Sequence, residues 1–277
     1  MDNGTFITGG RVQALAARGL TKETCQKWGY HVGKCDDVVV QIANYRGQNG
    51  KLLGQKLRFP DKSFKIRGEL IGLYGQHLWS DGGRRVVVVE GEVDALSISQ
   101  AFDNRWPVVS VPHGAASGKK YVAHALDWLE RYDEVVFLFD MDDAGRKAAA
   151  ECAALLSPGR AKLAEIPLKD PNDMLTANRS KELVQAVWNA RSYRPDGIIA
   201  GDELWEKITE ERDEESKPYP YSELNAKTHG LRRGELVTIC AGSGIGKSLL
   251  CREVCYSLLQ AGETVGYIAL EESVRRT

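Results

Sequence analysis

The sequence lacks the marks of an exported, membrane-spanning or zinc-binding protein. Its six cysteines are scattered and include no C-x-x-C pair, which favours free thiols in a reducing compartment over disulfides or zinc ligation. No apolar run approaches the ~20 residues that cross a bilayer, and MDNGTFITGG at the N-terminus has neither a basic nor an apolar leader region. Internal repeats and low-complexity tracts are also absent. We therefore expect a cytoplasmic globular protein.

Charge is segregated along a chain whose net charge is only −1. The 277 residues are enough for two domains, and the hydrophobic content of 43% is ordinary. Seven basic and two acidic residues lie between Arg46 and Glu69, whereas nine acidic and three basic residues lie between Asp196 and Lys217. The first segment suggests a polyanionic ligand and the second a connector, although a charge run alone is usually a solvated surface.

The first 83 residues are typical of a small β-rich lobe. Residues 20–29, LTKETCQKWG, predict a short helix with Thr21 as its N-cap and Gly29 just beyond its end. The following VVVQIANYRGQNGKLLGQKLRF alternates around Asn49-Gly50, which predicts a hairpin, and SFKIRG predicts a third strand.

Residues 84–195 alternate short apolar runs with helical stretches. The apolar runs are 86–89, 108–111, 135–139 and 162–166, and helices are predicted at 95–102, 119–132, 145–156 and near 181–190. Because strands that are apolar on both faces alternate with helices, we predict a doubly wound parallel α/β domain.

Two of these predicted strands end in acidic residues. VVVVEG ends in Glu90, and VVFLFDMDDAG ends in Asp140 and Asp142. Ligands bind beyond the carboxyl ends of parallel strands, and residues two apart on an extended chain point the same way. We therefore predict that Glu90, Asp140 and Asp142 hold one Mg²⁺ ion. An acid at a strand end can instead cap the next helix, and we assign that role to Asp143.

A glycine-rich loop lies near the end of the chain. AGSGIGKS, residues 241–248, fits a Walker A loop with Ala241 where the first glycine usually stands. It follows a predicted strand, LVTIC, and opens a predicted helix at 249–258, and VGYIALEES predicts the next strand. Phosphate-binding residues of such a loop would be Gly242, Ser243, Gly244, Gly246, Lys247 and Ser248, with Ser248 also on Mg²⁺.

Taken together, these segments resemble the bifunctional primase–helicases of bacteriophages, relatives of the mitochondrial Twinkle helicase. GRVQALAARGLTKETCQKWGY, GQHLWS, PVVSVPHGAASGKK, FDMDDAGRKAA, LKDPNDML and AGSGIGKS…ALEES occur in the family's order. The E-G and D-x-D strand ends are similar to the Toprim fold of primases and topoisomerases. The resemblance implies a basic β-rich primase subdomain at 1–83, a Toprim catalytic subdomain at 84–195, a linker with a helix at 196–221, and the beginning of a RecA-like helicase domain at 222–277.

The resemblance implies Mg²⁺-dependent synthesis of short RNA primers on single-stranded DNA, linked to an NTP-driven 5′–3′ helicase motor. It implies catalytic roles for Lys56, Lys62 and Lys65, nucleotide contacts by Arg58, His113, Lys169 and Asp170, and activation of water by Glu271. ATP or dTTP would bind the glycine-rich loop. Implied partners are ribonucleotides, a replicative DNA polymerase and further copies in a ring, in a phage-infected or prophage-carrying bacterium.

Two departures from the family's pattern limit what these 277 residues are expected to do. Only the start of the helicase domain is present and no zinc module precedes the primase, so we expect weak ATP hydrolysis, no unwinding and weak sequence-specific initiation. The helix at 202–215 would dock on a neighbouring subunit through Leu204, Trp205 and Ile208, or pack on its own chain.

Other functions remain possible for the same residues. A Toprim nuclease would use the same acids, and a helicase-linked scaffold would have no activity. A topoisomerase would need a tyrosine-bearing domain for which there is no room. A receiver-like phosphoacceptor leaves the basic lobe and the glycine-rich loop unexplained.

Overall fold

The computed structural model describes residues 6–194, 205 and 216–268. The chain divides into two compact units, Met1–Ile198 and Ile199–Thr277. No helix of the described residues is long and apolar enough to cross a membrane. The predictions for Leu204, Ile208 and Glu271 and for most of the helix at 202–215 lie outside the described residues. Trp205 is described, and its side chain is exposed.

The first helix, α1, spans Lys22–Trp28 and is confirmed with both predicted ends. The Thr21 hydroxyl accepts a hydrogen bond from the backbone N–H of Thr24, as an N-cap does. Gly29 ends the helix with a φ of 59°, a left-handed conformation that costs glycine little. This local chemistry is sufficient to set the limits of the helix.

An antiparallel four-stranded sheet follows, in the order β1-β2-β3-β4. Its strands are His31–Cys35, Val38–Arg46, Leu52–Arg58 and Phe64–Gly68. The hairpin of β2 and β3 and the third predicted strand, β4, are confirmed. Gly50 has a φ of 75° in the connecting turn, which explains the glycine there. Strand β1 was not predicted, because its sequence HVGKC has no clear alternation of apolar and polar residues.

A second sheet has five strands in the order β6-β5-β7-β8-β9. The strands are β5 Gly83–Val89, β6 Val108–Ser110, β7 Tyr132–Leu138, β8 Ala161–Leu163 and β9 Arg191–Ser192. The first four are parallel, which confirms the predicted α/β architecture, and β9 adds antiparallel to β8. Their apolar runs are buried because helices cover both faces.

Six helices among the described residues connect and cover these strands. They are α2 Glu92–Ala101, α3 Ala115–His124, α4 Leu126–Leu129, α5 Asp143–Ala153, α6 Pro171–Thr176 and α7 Ser180–Trp188. The single helix predicted at 119–132 is wrong in detail: it is broken at Ala125, and Tyr132 belongs to β7. Tyr132 is opposite Gly83 in the parallel ladder and is fully buried, so sheet pairing overrides the helical pattern there.

The two sheets of the first unit share one hydrophobic core. Trp28 of α1 and Tyr45 of β2 belong to the same buried cluster as Val87 of β5 and Leu138 of β7. Trp28 also packs against Tyr74, with the ring centroids 5.4 Å apart. The β-rich lobe is therefore held against the edge of the parallel sheet where β5 and β7 end, and this packing positions the site described below.

The second unit contains two helices among its described residues, Ser222–Thr228 and Lys247–Gln260. The second confirms the helix predicted after the glycine-rich loop. The predicted strand at 236–240 is wrong, and the described part of the strand predicted from residue 265 is also not a strand. Leu236 is 92% exposed. A strand is stabilised by its ladder with a neighbour and by burial of a face, and residues 236–240 have neither.

Candidate active site

Acidic residues from neighbouring strands meet in one cavity of about 370 Å³. Strands β5 and β7 are adjacent, with Val89 opposite Leu138, so the residues that follow them emerge together. The acids that line the cavity are Glu90, Glu92, Asp94, Asp140 and Asp170. Lys56, Arg58, Phe64 and His113 also line it. Glu90 and Asp140 follow the carboxyl ends of adjacent parallel strands and therefore lie in the same cavity, as the sequence predicts.

Glu90 has one engaged and one unengaged carboxylate oxygen. Its Oε1 accepts a hydrogen bond of 3.1 Å from the backbone N–H of Ala115, at the N-terminus of α3. Its Oε2 is buried and has no hydrogen-bond partner in the described structure. Gly114 allows this close approach, because its φ is 72° and an added Cβ would lie 3.2 Å from Oε1. A buried carboxylate oxygen without a donor favours a cation beside it.

The cavity holds an excess of negative charge. Burial, followed by the neighbouring carboxylates of Glu90 and Asp170, raises the pKa of Asp140 to about 6. The Lys169 Nζ atom, 3.7 Å from Asp140 Oδ2, acts in the opposite direction. Burial and the charges of Asp170 and Asp140 also raise the pKa of Asp94 well above its ordinary value. These shifts indicate that a bound cation would stabilise the ionised site.

Asp142 takes a different place from Asp140. Its side chain is exposed, and its Oδ1 accepts a hydrogen bond of 2.8 Å from the backbone N–H of Gly145. Asp142 is therefore the N-cap of α5, and the assignment of that cap to Asp143 is wrong. An N-cap residue has an extended backbone and bonds two or three residues ahead, and Asp142 has a φ of −95° and a ψ of 172°. Asp143 is already the first residue of the helix.

The metal site stays a prediction. Within the described residues no three His, Cys, Asp or Glu side chains form a group that could hold one metal ion. Glu90 and Asp140 have the hard oxygen donors that suit Mg²⁺, and the partnerless Glu90 oxygen is consistent with such an ion. Asp142 follows Asp140 by two residues but does not line the cavity that Asp140 shares with Glu90.

Lys56 is fixed at the cavity wall by a buried polar network that the sequence did not reveal. Its Nζ donates to Glu92 Oε1 at 2.9 Å, to Glu92 Oε2 at 3.0 Å and to the carbonyl oxygen of Pro112 at 2.8 Å. The Tyr45 hydroxyl donates to the same Glu92 Oε1. These groups come from β2, β3, the loop after β6 and the first turn of α2. Because the segments are far apart in the sequence, no local sequence pattern could have predicted their contacts.

The predicted basic residues are divided between two faces of the first sheet. Lys56 and Arg58 alternate with Leu57, whose side chain is buried in a separate cluster. Lys65 is opposite Leu57 in the register of β3 and β4, so it is on the face away from Lys56. Lys62 lies in the turn after β3 and lines another cavity. The catalytic roles of Lys62 and Lys65 remain predictions, and the structure does not bring either residue into the acidic cavity.

His113 and Asp170 line the cavity that holds Glu90 and Asp140, and Lys169 lies beside Asp140. The His113 ring centroid lies 5.6 Å from that of Tyr121. Although much of the residue is exposed, partial loss of water around the ring and the Lys56 charge lower the pKa of His113. Asp170 caps α6 by accepting a hydrogen bond of 2.7 Å from the Asp173 N–H. Their predicted contacts with nucleotide remain predictions.

The glycine-rich loop is exposed. Gly244 and Gly246 have φ values of 80° and 103°, conformations that favour glycine. Lys247 is the first residue of its helix, and its Nζ donates to the carbonyl oxygens of Ala241 at 2.8 Å and Gly242 at 2.9 Å. Nucleotide binding by this loop, including Ser243 and Ser248, remains a prediction.

Comparison with known protein families gives two matches in the first unit. Residues 10–68 match the family described as "Bacteriophage T7 DNA helicase/primase, N-terminal a+b fold", and residues 87–175 match "Toprim-like". The DNA helicase/primase of Enterobacteria phage T3 is 40% identical over 275 residues, which is 97% of this chain and 48% of that protein. This chain thus spans about half the length of that relative.

Solved structures of bacteriophage T7 proteins agree with these matches. The primase fragment of the T7 primase–helicase is 44% identical, with a TM-score of 0.62 over 65% of this chain and 75% of that chain. In a second structure, the T7 lagging-strand DNA polymerase interacts with primase domains bound to an RNA/DNA hybrid and dTTP. That match is also 44% identical, with a TM-score of 0.64 over 66% of this chain and 94% of the other.

Proposed function

This chain belongs to the bacteriophage T7-type DNA helicase/primase family, and from that premise we propose that its first unit is a primase that joins ribonucleotides on a single-stranded DNA template. One observation carries the proposal. Glu90, with a buried partnerless oxygen, and Asp140 end neighbouring parallel strands and share one cavity with Lys56 and Arg58. Carboxylates and cations in one cavity are suited to a triphosphate accompanied by a divalent cation.

The carboxylate oxygens of Glu90 and Asp140 are of the kind that suits a divalent metal, and we propose that these two residues hold Mg²⁺ with Asp142 as a further ligand. When bound, the ion would neutralise phosphate charge and orient the triphosphate. Ionised carboxylates are required for this, so binding should strengthen as the pH rises through about 6, where Asp140 loses its proton, and level off above it.

The cations of the cavity have a complementary task. In primer synthesis a 3′-hydroxyl oxygen bonds to the α-phosphorus of the next ribonucleotide, pyrophosphate leaves, and the hydroxyl proton passes to water. Lys56 is held at the cavity wall by Glu92 and the Pro112 carbonyl, and its ammonium group together with Arg58 would offset the negative charge of the phosphates. Arg58, two residues further along β3, extends the same basic wall.

We also propose further features of the family for the whole protein. They are a 5′–3′ helicase motor with ATP or dTTP and Mg²⁺ at the glycine-rich loop, assembly into a ring, and action in the cytoplasm of an infected bacterium. The T7 complex of polymerase, primase domains and RNA/DNA hybrid supports a replicative polymerase as a partner. The helix that begins at Lys247 supports phosphate binding there.

The test is ribonucleotide addition to a dinucleotide annealed on single-stranded DNA with Mg²⁺. We expect Asp140→Asn to reduce extension by roughly two orders of magnitude, the usual effect of removing one group that stabilises transition-state charge. Asp143→Asn is the matched control, because Asp143 carries the same charge three residues away on an exposed helix turn.

Extension by Asp140→Asn at the wild-type rate would contradict the proposed site. Nicking of DNA by the wild-type protein without any extension would favour the Toprim nuclease alternative, since that enzyme would use the same acids. If neither reaction occurs, the inert helicase-linked scaffold becomes the better description.

A further inference from the structure

Phe64 is an aromatic side chain exposed in the acidic cavity. It is the first residue of β4, it is 53% exposed, and it lines the same cavity as Glu90 and Asp140. Strand β4 is at the edge of its sheet, where it pairs with β3 alone among the described residues. The large aromatic residues of this unit, such as Trp28, Tyr45 and Tyr74, are buried in the core. The exposed part of the Phe64 ring is therefore available to a ligand in the cavity.

Two cations flank the Phe64 ring. Lys56 Nζ lies 4.8 Å and Arg58 Cζ lies 5.7 Å from the ring centroid. Arg58 is directly opposite Phe64 in the antiparallel register, and Lys56 is two residues further along on the same face. These contacts position the ring within reach of the charges that would bind phosphate. An exposed ring combined with basic side chains is the arrangement by which proteins hold a base and its phosphates together.

We propose that Phe64 is the surface on which the base of the incoming ribonucleoside triphosphate stacks. This proposal rests on the proposed primase function. The ribonucleotide is chosen over the DNA template because the ring shares its cavity with Glu90, Asp140 and Lys56, which are the residues proposed above to bind the triphosphate and its metal ion. Stacking on a phenyl ring tolerates every base, which suits a site that must accept each nucleotide that the template specifies.

The test compares a ligand that has a base with one that lacks it. The probes are 2-aminopurine riboside triphosphate, whose fluorescence falls on stacking, and inorganic triphosphate as a competitor, both with Mg²⁺ and without template. All proteins carry Lys247→Ala, which removes the glycine-rich loop as a second triphosphate site. The variants are Phe64→Ala and Phe64→Trp, with Val38→Ala as the control, because Val38 is an exposed apolar residue of the same sheet.

We expect Phe64→Ala to raise the dissociation constant of the nucleotide about five- to hundredfold, the range measured when an aromatic stacking partner is removed. The dissociation constant of inorganic triphosphate should not change, Phe64→Trp should bind and quench as the wild-type protein does, and Val38→Ala should bind normally. Because Phe64 is half exposed, the alanine variant should remain folded, which circular dichroism checks.

Three results would overturn the proposal. They are unchanged nucleotide affinity in Phe64→Ala, an equal loss for both ligands, and a loss confined to a single-stranded DNA probe measured by anisotropy. The last result would assign the ring to the template. Primer extension is measured separately. Failure of the wild-type protein to extend primers while Phe64-dependent binding persists would reject the primase function and leave the stacking site established.

Discussion

Replacing Lys56 by methionine should destabilise the protein more than the loss of a surface lysine usually does. The side chains of Lys56 and Glu92 are only 12% and 9% exposed, and the pair is joined by two hydrogen bonds of 2.9 and 3.0 Å. Methionine keeps the length and apolar volume of the lysine stem. The substitution therefore removes the positive charge and its three hydrogen bonds while leaving the packing nearly unchanged.

The magnitude follows from what the substitution leaves behind. In Lys56→Met the Glu92 carboxylate stays buried with the Tyr45 hydroxyl as its remaining side-chain donor. Breaking a buried ion pair in this way costs about 3–5 kcal/mol, and we expect about 3 kcal/mol because both side chains keep some contact with water. Glu92→Gln should cost less, about 1–2 kcal/mol, since the amide oxygen still accepts from Tyr45 and the ammonium group keeps the Pro112 carbonyl.

Urea unfolding followed by tryptophan fluorescence measures these changes. Five of the six tryptophans lie in the first unit, and Trp205 lies in the second. The fluorescence therefore reports mainly on the first unit. With a slope of about 2 kcal/mol per molar urea, a loss of about 3 kcal/mol moves the midpoint by roughly 1.5 M. In the double variant Lys56→Met/Glu92→Gln, no charge is left unpaired, so the total loss should be at least about 1 kcal/mol smaller than the sum of the single losses.

Additive single losses would refute this reasoning, because they would mean that Lys56 and Glu92 do not interact in solution. A loss below about 1 kcal/mol in Lys56→Met would also refute it, since that is the range for an exposed ion pair. Lys51→Met is the control for removing a lysine charge from the same sheet, because Lys51 is exposed in the turn before β3.

Other predictions concern the strand end at Asp140. The pKa of Asp140 is raised from 3.8 to about 6, so its proton stabilises the folded state below pH 4 and this stabilisation is lost as the pH rises through 6. Asp140→Asn has no such proton to lose, so it should be more stable than the wild type at pH 7 in EDTA, by on the order of 1 kcal/mol. Urea titrations at several pH values measure this, and a stability difference between the two proteins that does not change with pH would contradict it. Gly145→Ala should destabilise by at least about 2 kcal/mol, because the added Cβ would lie 2.2 Å from the Asp140 carbonyl oxygen; an unchanged thermal midpoint would rule out this packing. Asp142→Ala should lose about 1 kcal/mol while Asp142→Asn keeps the cap of α5, and equal loss in both variants would argue against capping.

Several parts of the fold were predictable because nearby residues determine them. Thr21 and Gly29 supply their own cap and helix end, so α1 matches its prediction closely. The apolar runs of the parallel sheet are similarly informative, since a strand buried on both faces must be apolar throughout. Predictions failed where a distant partner decides, as at Tyr132, which joins β7, and at 236–240, where no ladder forms in the described structure.

From the sequence alone it followed that Glu90 and Asp140 come after strands of one parallel sheet, and such strand ends emerge at the same edge. The folded structure was needed to show that these two strands are neighbours and which cations face the acids. Strand register places Lys56 on the cavity side and Lys65 on the other, and packing of the two sheets brings Glu92 to Lys56. Alternation along a strand assigns residues to two faces, but which face meets the acids depends on contacts between segments far apart in the chain.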